Sequence, residues 1–305
     1  MRFCFSIHKA IFVCVMLTGG SSPASADNLK IGRDIQQQLA LPENKIDVGI
    51  AALTFAKEIY PDIDVAAYSR KIDLLADKAR QLANGTQDPE RRIRVLNTVL
   101  FRMEGVHYDH APDARRKKEY YFLNGILDTK QGICYTMPLL YMAVAQRLGY
   151  PVYPVHAPDH LFVRYVDPSF KQQNIEVTSG GKYFEDEWYI QDFAIGEKGL
   201  SSGSYLRTMT YREFLGDMLG ANAFIVGTRD GEKAITYYEI ARERDPKFAD
   251  NYFNLSNGYH IKSRIGIAGW KEKYQKLSEQ YALKAKELGY VDPVEIDKVR
   301  GLKGK

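Results

Sequence analysis

Apolar residues recur at helical spacing through the first third of the chain. In DVGIAALTFAKEIYPD, Ile50, Leu53, Ala56 and Ile59 share one face, the period of an α-helix, and Pro61 is expected to end it. A second helix is predicted in AAYSRKIDLLADKARQLANG, with Ile72, Leu75, Ala76 and Ala79 as its stripe and Gly85 as its stop. Asp88-Pro89-Glu90 reads as an N-cap followed by proline in the first turn, ahead of Ile93, Leu96, Val99 and Leu100. The pattern then lapses: residues 107–118 are polar and loop-like. It resumes in YYFLNGILDTKQGICYTMPLLYMAVAQRLG, which ends in a strongly apolar helix stopped at Gly149. Three short runs rich in β-branched and aromatic residues follow, VYPV, HLFVRYV and NIEVTS, separated by Gly and Asp clusters. A helix followed by strands predicts an α+β core rather than alternating α/β.

From about Tyr211 the chain is helical again. Ala234, Tyr238 and Ala241 precede Asp245-Pro246, and Ala249, Tyr252 and Leu255 follow it. Small and large residues alternating around a proline between paired helices resemble a tetratricopeptide repeat. A partial second copy, YQKLSEQYALKAKELGYVDP, ends at Asp292-Pro293, 47 residues after the first Asp-Pro pair. The repeat length is about 34, so an insert is placed near IKSRIGIAGWKEK. The plain alternative is a helical hairpin.

Residues 1–26 have the order of a secretory leader: Arg2 and Lys9, the apolar run AIFVCVML, then TGGSSPASA with small residues at Ala24 and Ala26. The run is far shorter than the ~20 residues a membrane-spanning helix needs. A periplasmic or secreted product of 279 residues with no membrane span is therefore expected, more than one typical domain of ~100–200. Formal charge is +4, or +2 once Arg2 and Lys9 leave, too mild to argue for nucleic acid. No nucleotide or zinc signature is present, and no cofactor is expected. Gly180-Gly181 reads as a turn, since no helix follows at phosphate-loop spacing.

Cysteine usage sharpens the picture. Cys4 and Cys14 fall in the leader, which leaves Cys134 alone. Exported proteins normally pair their cysteines, so a solitary thiol is buried and inert, joined to another molecule, or a nucleophile. Pro138 fixes a helix start close to Cys134, where unpaired N–H groups and the positive dipole end favour thiolate. A thiolate nucleophile needs a base oriented by a third group. His160 heads HLFVRYV, and Glu176 stands in NIEVTS. A hairpin centred near Pro168 would set the two directly opposite, about 5 Å apart at Cβ. Asp167, seven residues along the same strand and about 23 Å away by strand rise, cannot orient His160. Gln131 is a candidate oxyanion donor, with a solvent-facing loop residue as its simpler reading. His107, Asp109 and His110 crowd together in a manner that could bind metal but suits an exposed loop better. His156 is four residues from His160, but Pro158 and Asp159 break any helix that would align them.

The block GICYTMPLLYMAVAQRLGYPVYPVHAPDHLFVRYV, with NIEVTSGGKYF after it, resembles the bacterial transglutaminase-like family, which has a papain-like cysteine peptidase fold. That family places Cys at a helix start, His at the head of a strand and an acid or Asn on the next strand. The acid here is Glu where Asp is commoner. The upstream helices resemble the lead-in of a branch that often ends in tetratricopeptide repeats. With the leader over residues 1–26 set aside, pattern and resemblance together imply a helical region over 27–110, a transglutaminase-like core over 111–210 with an antiparallel sheet on the Cys-bearing helix, and tetratricopeptide-like helical hairpins over 211–305. It implies cysteine-dependent acyl transfer through Cys134, His160 and Glu176, as hydrolysis or transfer to an amine, on a protein or peptide substrate. The rival expectation is a non-catalytic binding module that captures a protein partner on its C-terminal helices. A thiol sensor at Cys134 is a third.

Overall fold

The computed structural model describes residues 31–171, 173–227, 230–265 and 269–303, so the expected leader lies outside the described residues. Helices α1 (Arg33–Ala40), α2 (Val48–Ala56), α3 (Val65–Ala83) and α4 (Pro89–Asn97) lead the chain in. Asp47, Asp64 and Asp88 cap α2, α3 and α4 by accepting backbone N–H bonds, which satisfies donors that a helix start leaves without partners. Ile72, Leu75, Ala76 and Ala79 form the buried stripe of α3, as their period predicts. Asn84, left-handed at φ 46°, closes α3 one residue before Gly85. Helix α2 stops at Ala56, well short of Pro61. Lys57 N–H bonds back three residues to Thr54, and the residue before a proline is pushed out of the helical region. Ile59 still packs on the core from the turn. Beyond α4 the chain widens into a π-helical turn, Thr98–Met103, that keeps Val99 and Leu100 buried.

Residues 107–118 are less irregular than their polarity suggests. Strand β1 (His107–Tyr108) pairs in parallel with β2 (Gln131–Gly132) across α5 (Leu123–Thr129), and Ala114–Arg116 forms a 3-10 turn. Helix α6 (Thr136–Arg147) is the centre of the molecule. Its residues from Thr136 to Ala145 are all buried, as expected of a helix apolar on every side. It packs on α2 and α3 and on the sheet.

Strands β3 (Val152–Ala157), β4 (His160–Tyr165), β5 (Asn174–Glu176) and β6 (Lys182–Tyr183) form one antiparallel sheet in that order. The fold is therefore α+β, with the antiparallel sheet packed on α6, the helix that begins two residues after Cys134. Leu161, Val163 and Tyr165 point into the α6 core. Phe162 on the opposite face joins a second apolar cluster with Val155, Tyr189, Phe193, Phe248 and Ile296. Both faces of β4 are thus covered, which explains its near-continuous apolar run. Gly180 and Gly181, at φ 72° and 78°, turn the chain from β5 into β6.

The β4–β5 register departs from expectation. Val163 pairs with Ile175 and Arg164 with Asn174, so the continued ladder sets Glu176 across from Phe162, not His160. The displacement is two residues. Because side chains alternate with period two, an even slip leaves both residues on one face.

Helices α7 (Asp186–Asp192), α8 (Glu197–Ser201), α9 (Tyr211–Val226), α10 (Gly231–Arg244), α11 (Ala249–Ile265), α12 (Lys271–Glu287) and α13 (Pro293–Lys303) complete the described chain. The α9–α10 and α11–α12 pairs pack as helical hairpins. Thr210 and Glu213 form a capping box that starts α9. Its Phe214, Leu215, Met218 and Leu219 enter the main core, and Phe248 and Ile296 tie α11 and α13 to the sheet's far face. Among the described residues, no helix is long and apolar enough to cross a membrane.

Candidate active site

Cys134 lies two residues before α6 and is only 5% exposed. The chain reaches it through a narrow neck. A Cβ on Gly132 would sit 2.6 Å from Ile126 Cδ1 and 2.9 Å from Met137 Cγ, so only glycine fits without displacing core side chains. Pro138, in the first turn of α6, has no N–H to give the Cys134 carbonyl. The flanking bonds, Met137 N to Ile133 O at 3.1 Å and Leu139 N to Tyr135 O at 3.4 Å, are made.

His160 follows a two-residue hairpin turn, since Ala157 pairs directly with His160. Proline at the first turn position fixes that residue's φ, and Asp159 takes the left-handed φ of 54° that the turn then requires. The strain is local and sits beside the thiol: the Asp159 carbonyl is 3.9 Å from Cys134 Sγ. His160 Nε2 lies 2.7 Å from Glu176 Oε2. The diagonal offset of the register is bridged by the length of the glutamate side chain. Glu176 is fully buried. Its Oε1 accepts from Thr178 N at 3.0 Å and Thr178 Oγ1 at 2.5 Å, and its Oε2 from Tyr189 Oη at 3.2 Å. Burial pushes the carboxyl pKa up, but His160 and the Thr178 bonds outweigh it and hold the group below the usual carboxylate value. The His160 ring stacks on Phe193 at 4.9 Å between centroids.

Arg115 belongs to this neighbourhood, and nothing in the sequence singled it out. It is one of four consecutive basic residues, Arg115 to Lys118, and only the fold distinguishes them. Its Nη2 donates to Cys134 Sγ at 2.9 Å and to the Asp159 carbonyl at 3.2 Å, and its Nη1 to Asp159 Oδ2 at 2.7 Å.

Arg115, Cys134 and His160 line a cavity of about 620 Å³ whose other wall includes Asp217, Tyr238, Asn254 and Asn257 of α9, α10 and α11. His156 also faces it, stacked on Phe248 at 3.9 Å and 3.2 Å from Asp217 Oδ1. Burial lowers the His156 pKa, but the carboxylates of Asp217, Asp245 and Asp250 overcome that and raise it.

Gln131 is not brought to the cavity. Its Oε1 accepts from Tyr120 Oη at 2.6 Å, and its Nε2 faces His107 at 3.4 Å. Asp109 is tied to Ala111 N and Lys117, His107 to the Gly105 carbonyl, and the His110 ring to Tyr108. Among the described residues, no three His, Cys, Asp or Glu side chains are grouped to hold a metal ion.

Fold and cavity together define an α+β protein with a thiol at the start of a buried helix, beside an antiparallel sheet. The chain belongs to the transglutaminase-like superfamily, whose family model matches residues 66–220, just over half of its length. It is similar to F-box only protein 21 of Homo sapiens, at 32% identity over 78 residues, covering 24% of this chain and 12% of that protein. A UPF0162 protein of Xylella fastidiosa is 26% identical over 118 residues, covering 37% of this chain and 40% of the relative. Another, of Pasteurella multocida, is 27% identical over 94 residues, covering 31% and 35%. The matched stretch thus spans about an eighth of the F-box protein and about two-fifths or less of the UPF0162 proteins.

Proposed function

We propose that the protein is an exported cysteine-dependent acyl-transfer enzyme in which Cys134 is the nucleophile, His160 the proton carrier and Glu176 the group that orients His160. The buried 2.7 Å contact between Glu176 Oε2 and Nε2 of His160, which lines the same cavity as Cys134, carries this reading. A carboxylate on Nε2 stabilises the imidazolium and fixes which nitrogen faces the thiol. The thiolate attacks a carbonyl carbon of a protein or peptide substrate. The C–N bond breaks, the imidazolium gives its proton to the leaving amine, and a thioester remains on Cys134. Water or a second amine then attacks that thioester, His160 takes its proton, and the thiolate leaves. Hydrolysis is the outcome we favour. Residues 111–210 would carry the chemistry, and residues 211–305, read as tetratricopeptide-like hairpins, would hold the substrate or a protein partner.

Incubation with p-nitrophenyl acetate tests the nucleophile directly. An acetyl thioester on Cys134 is expected by mass spectrometry, forming about 10²–10⁴-fold more slowly in His160→Ala. No adduct, or one indifferent to His160, rejects the reading.

A second reading, a non-catalytic binding module, is favoured by the share of the cavity wall that α10 and α11 contribute through Tyr238, Asn254 and Asn257. On that view a Cys134→Ala chain fully replaces the wild type in a deletion strain. On the enzymatic view it does not.

A further inference from the structure

Two charged groups meet the Cys134 end of the cavity from outside the Cys134–His160–Glu176 set. Arg115 reaches in from the 3-10 turn Ala114–Arg116, and Asp159 from the β3–β4 hairpin. Their side chains are only 12% and 15% exposed, so their charges are poorly screened. A guanidinium has no lone pair to offer and donates only. A contact of 2.9 Å between Nη2 and Sγ is therefore one in which sulfur accepts, and a thiolate accepts far better than a thiol. Burial alone favours the neutral thiol, so a buried thiolate needs such a cation.

We propose that Arg115 is a catalytic residue of this site: its guanidinium holds Cys134 as thiolate, and Asp159 is the positioning residue that aims it. This rests on the reading of Cys134 as nucleophile. The geometry divides the labour. Nη1 is committed to Asp159 Oδ2, and Nη2 bridges the Asp159 carbonyl and Sγ. The left-handed backbone of Asp159 turns both its carboxylate and its carbonyl onto one guanidinium. A planar fork can meet both at once, and a lysine ammonium cannot. As the C–S bond forms, the charge passes from sulfur to the carbonyl oxygen of the tetrahedral intermediate, and Nη2 is released from sulfur toward that oxygen before collapse to the thioester. That is the task expected of Gln131, whose amide lies elsewhere.

The test is the rate of Cys134 alkylation by iodoacetamide against pH in the full mature chain, with folding followed by circular dichroism. Arg115→Ala is expected to move the midpoint of the profile up by about one unit or more, the scale of an ion pair at this range. At a pH below both midpoints, that lowers the rate by about tenfold for each unit of the shift. Arg115→Lys should recover part of the loss, and Asp159→Asn should reproduce part of it. Arg115→Ala leaves Asp159 buried without its partner. If that unfolds the chain, the paired change Arg115→Met with Asp159→Asn removes both charges and carries the same expectation. A midpoint unmoved in a folded Arg115 variant overturns the proposal. The two readings fail separately. If His160→Ala shifts the profile and Arg115→Ala does not, the nucleophile stands and the role of Arg115 falls. If Arg115 shifts it and His160 does not, the thiolate pair stands and the acyl-transfer reading falls.

Discussion

Replacing Glu176 by Gln changes one atom and isolates what its charge does. The side chain is fully buried and serves two sets of donors. Its Oε1 takes the Thr178 backbone and hydroxyl bonds, which a glutamine carbonyl keeps. Its Oε2 faces His160 Nε2 at 2.7 Å, where the glutamine now presents NH₂. Donor would meet donor unless the imidazole moves its proton to Nδ1, the nitrogen that would serve Cys134. Two interactions of Oε2 are lost: the acceptor for Tyr189 Oη, and the charge-assisted hydrogen bond to His160, the larger of the two, worth about 1.5–3 kcal/mol or about one to two pH units in the basicity of His160. Glu176→Gln should therefore lower stability by about that amount in urea and cut alkylation of Cys134 at pH 6.5 about tenfold or more. Glu176→Ala strips every donor of its acceptor and should cost more, about 3–5 kcal/mol, the range for breaking a buried pair. The pH dependence supplies an independent check. The folded Glu176 carboxyl lies below its usual value, so its contribution is complete above the unfolded pKa of about 4.3. It is lost as pH falls through the lower folded value. The gap between wild type and Glu176→Gln should thus be full at pH 7 and close in acid. A gap that persists unchanged at pH 3, or a Glu176→Gln chain with the wild-type alkylation profile, would refute the reasoning.

Two further outcomes follow from neighbouring groups. Asp250 is pushed up to about 7 by burial, against the opposing bond from Tyr205 Oη. The folded state therefore keeps a proton that the unfolded chain releases near pH 3.9, and stability falls as pH rises from about 4 to about 7. Asp250→Asn keeps an acceptor for Tyr205, so it should raise the melting temperature at pH 8 and change it little at pH 4. Gly132→Ala forces a Cβ to within 2.6 Å of Ile126. It should cost about 1–3 kcal/mol as overpacking in urea unfolding, and slow Cys134 alkylation by shifting the neck of the site.

Local chemistry already written in the sequence settled much of this protein. The Asp88 cap, the stripe of α3, the stop at Gly149, the turn at Gly180-Gly181 and the three main strands all depend on neighbours within a few residues, and all were legible. So was the choice of Cys134, His160 and Glu176 as candidates, from the residue types at a helix start and on successive strands. What the sequence could not fix was register and long-range company. The even, two-residue offset that keeps Glu176 on the His160 face depends on how the chain between β4 and β5 closes, which no periodicity reports. The π-turn after α4 and the parallel pairing of His107–Tyr108 with Gln131–Gly132 are tertiary accommodations. Arg115 is the clearest case. Four basic residues in a row look alike as text, and only the packing of a loop against the β3–β4 turn brings one of them to within 2.9 Å of sulfur. Helix and turn signals are short-range and survive in the sequence. A site assembled from a loop, a hairpin turn and a helix start exists only once the chain has closed.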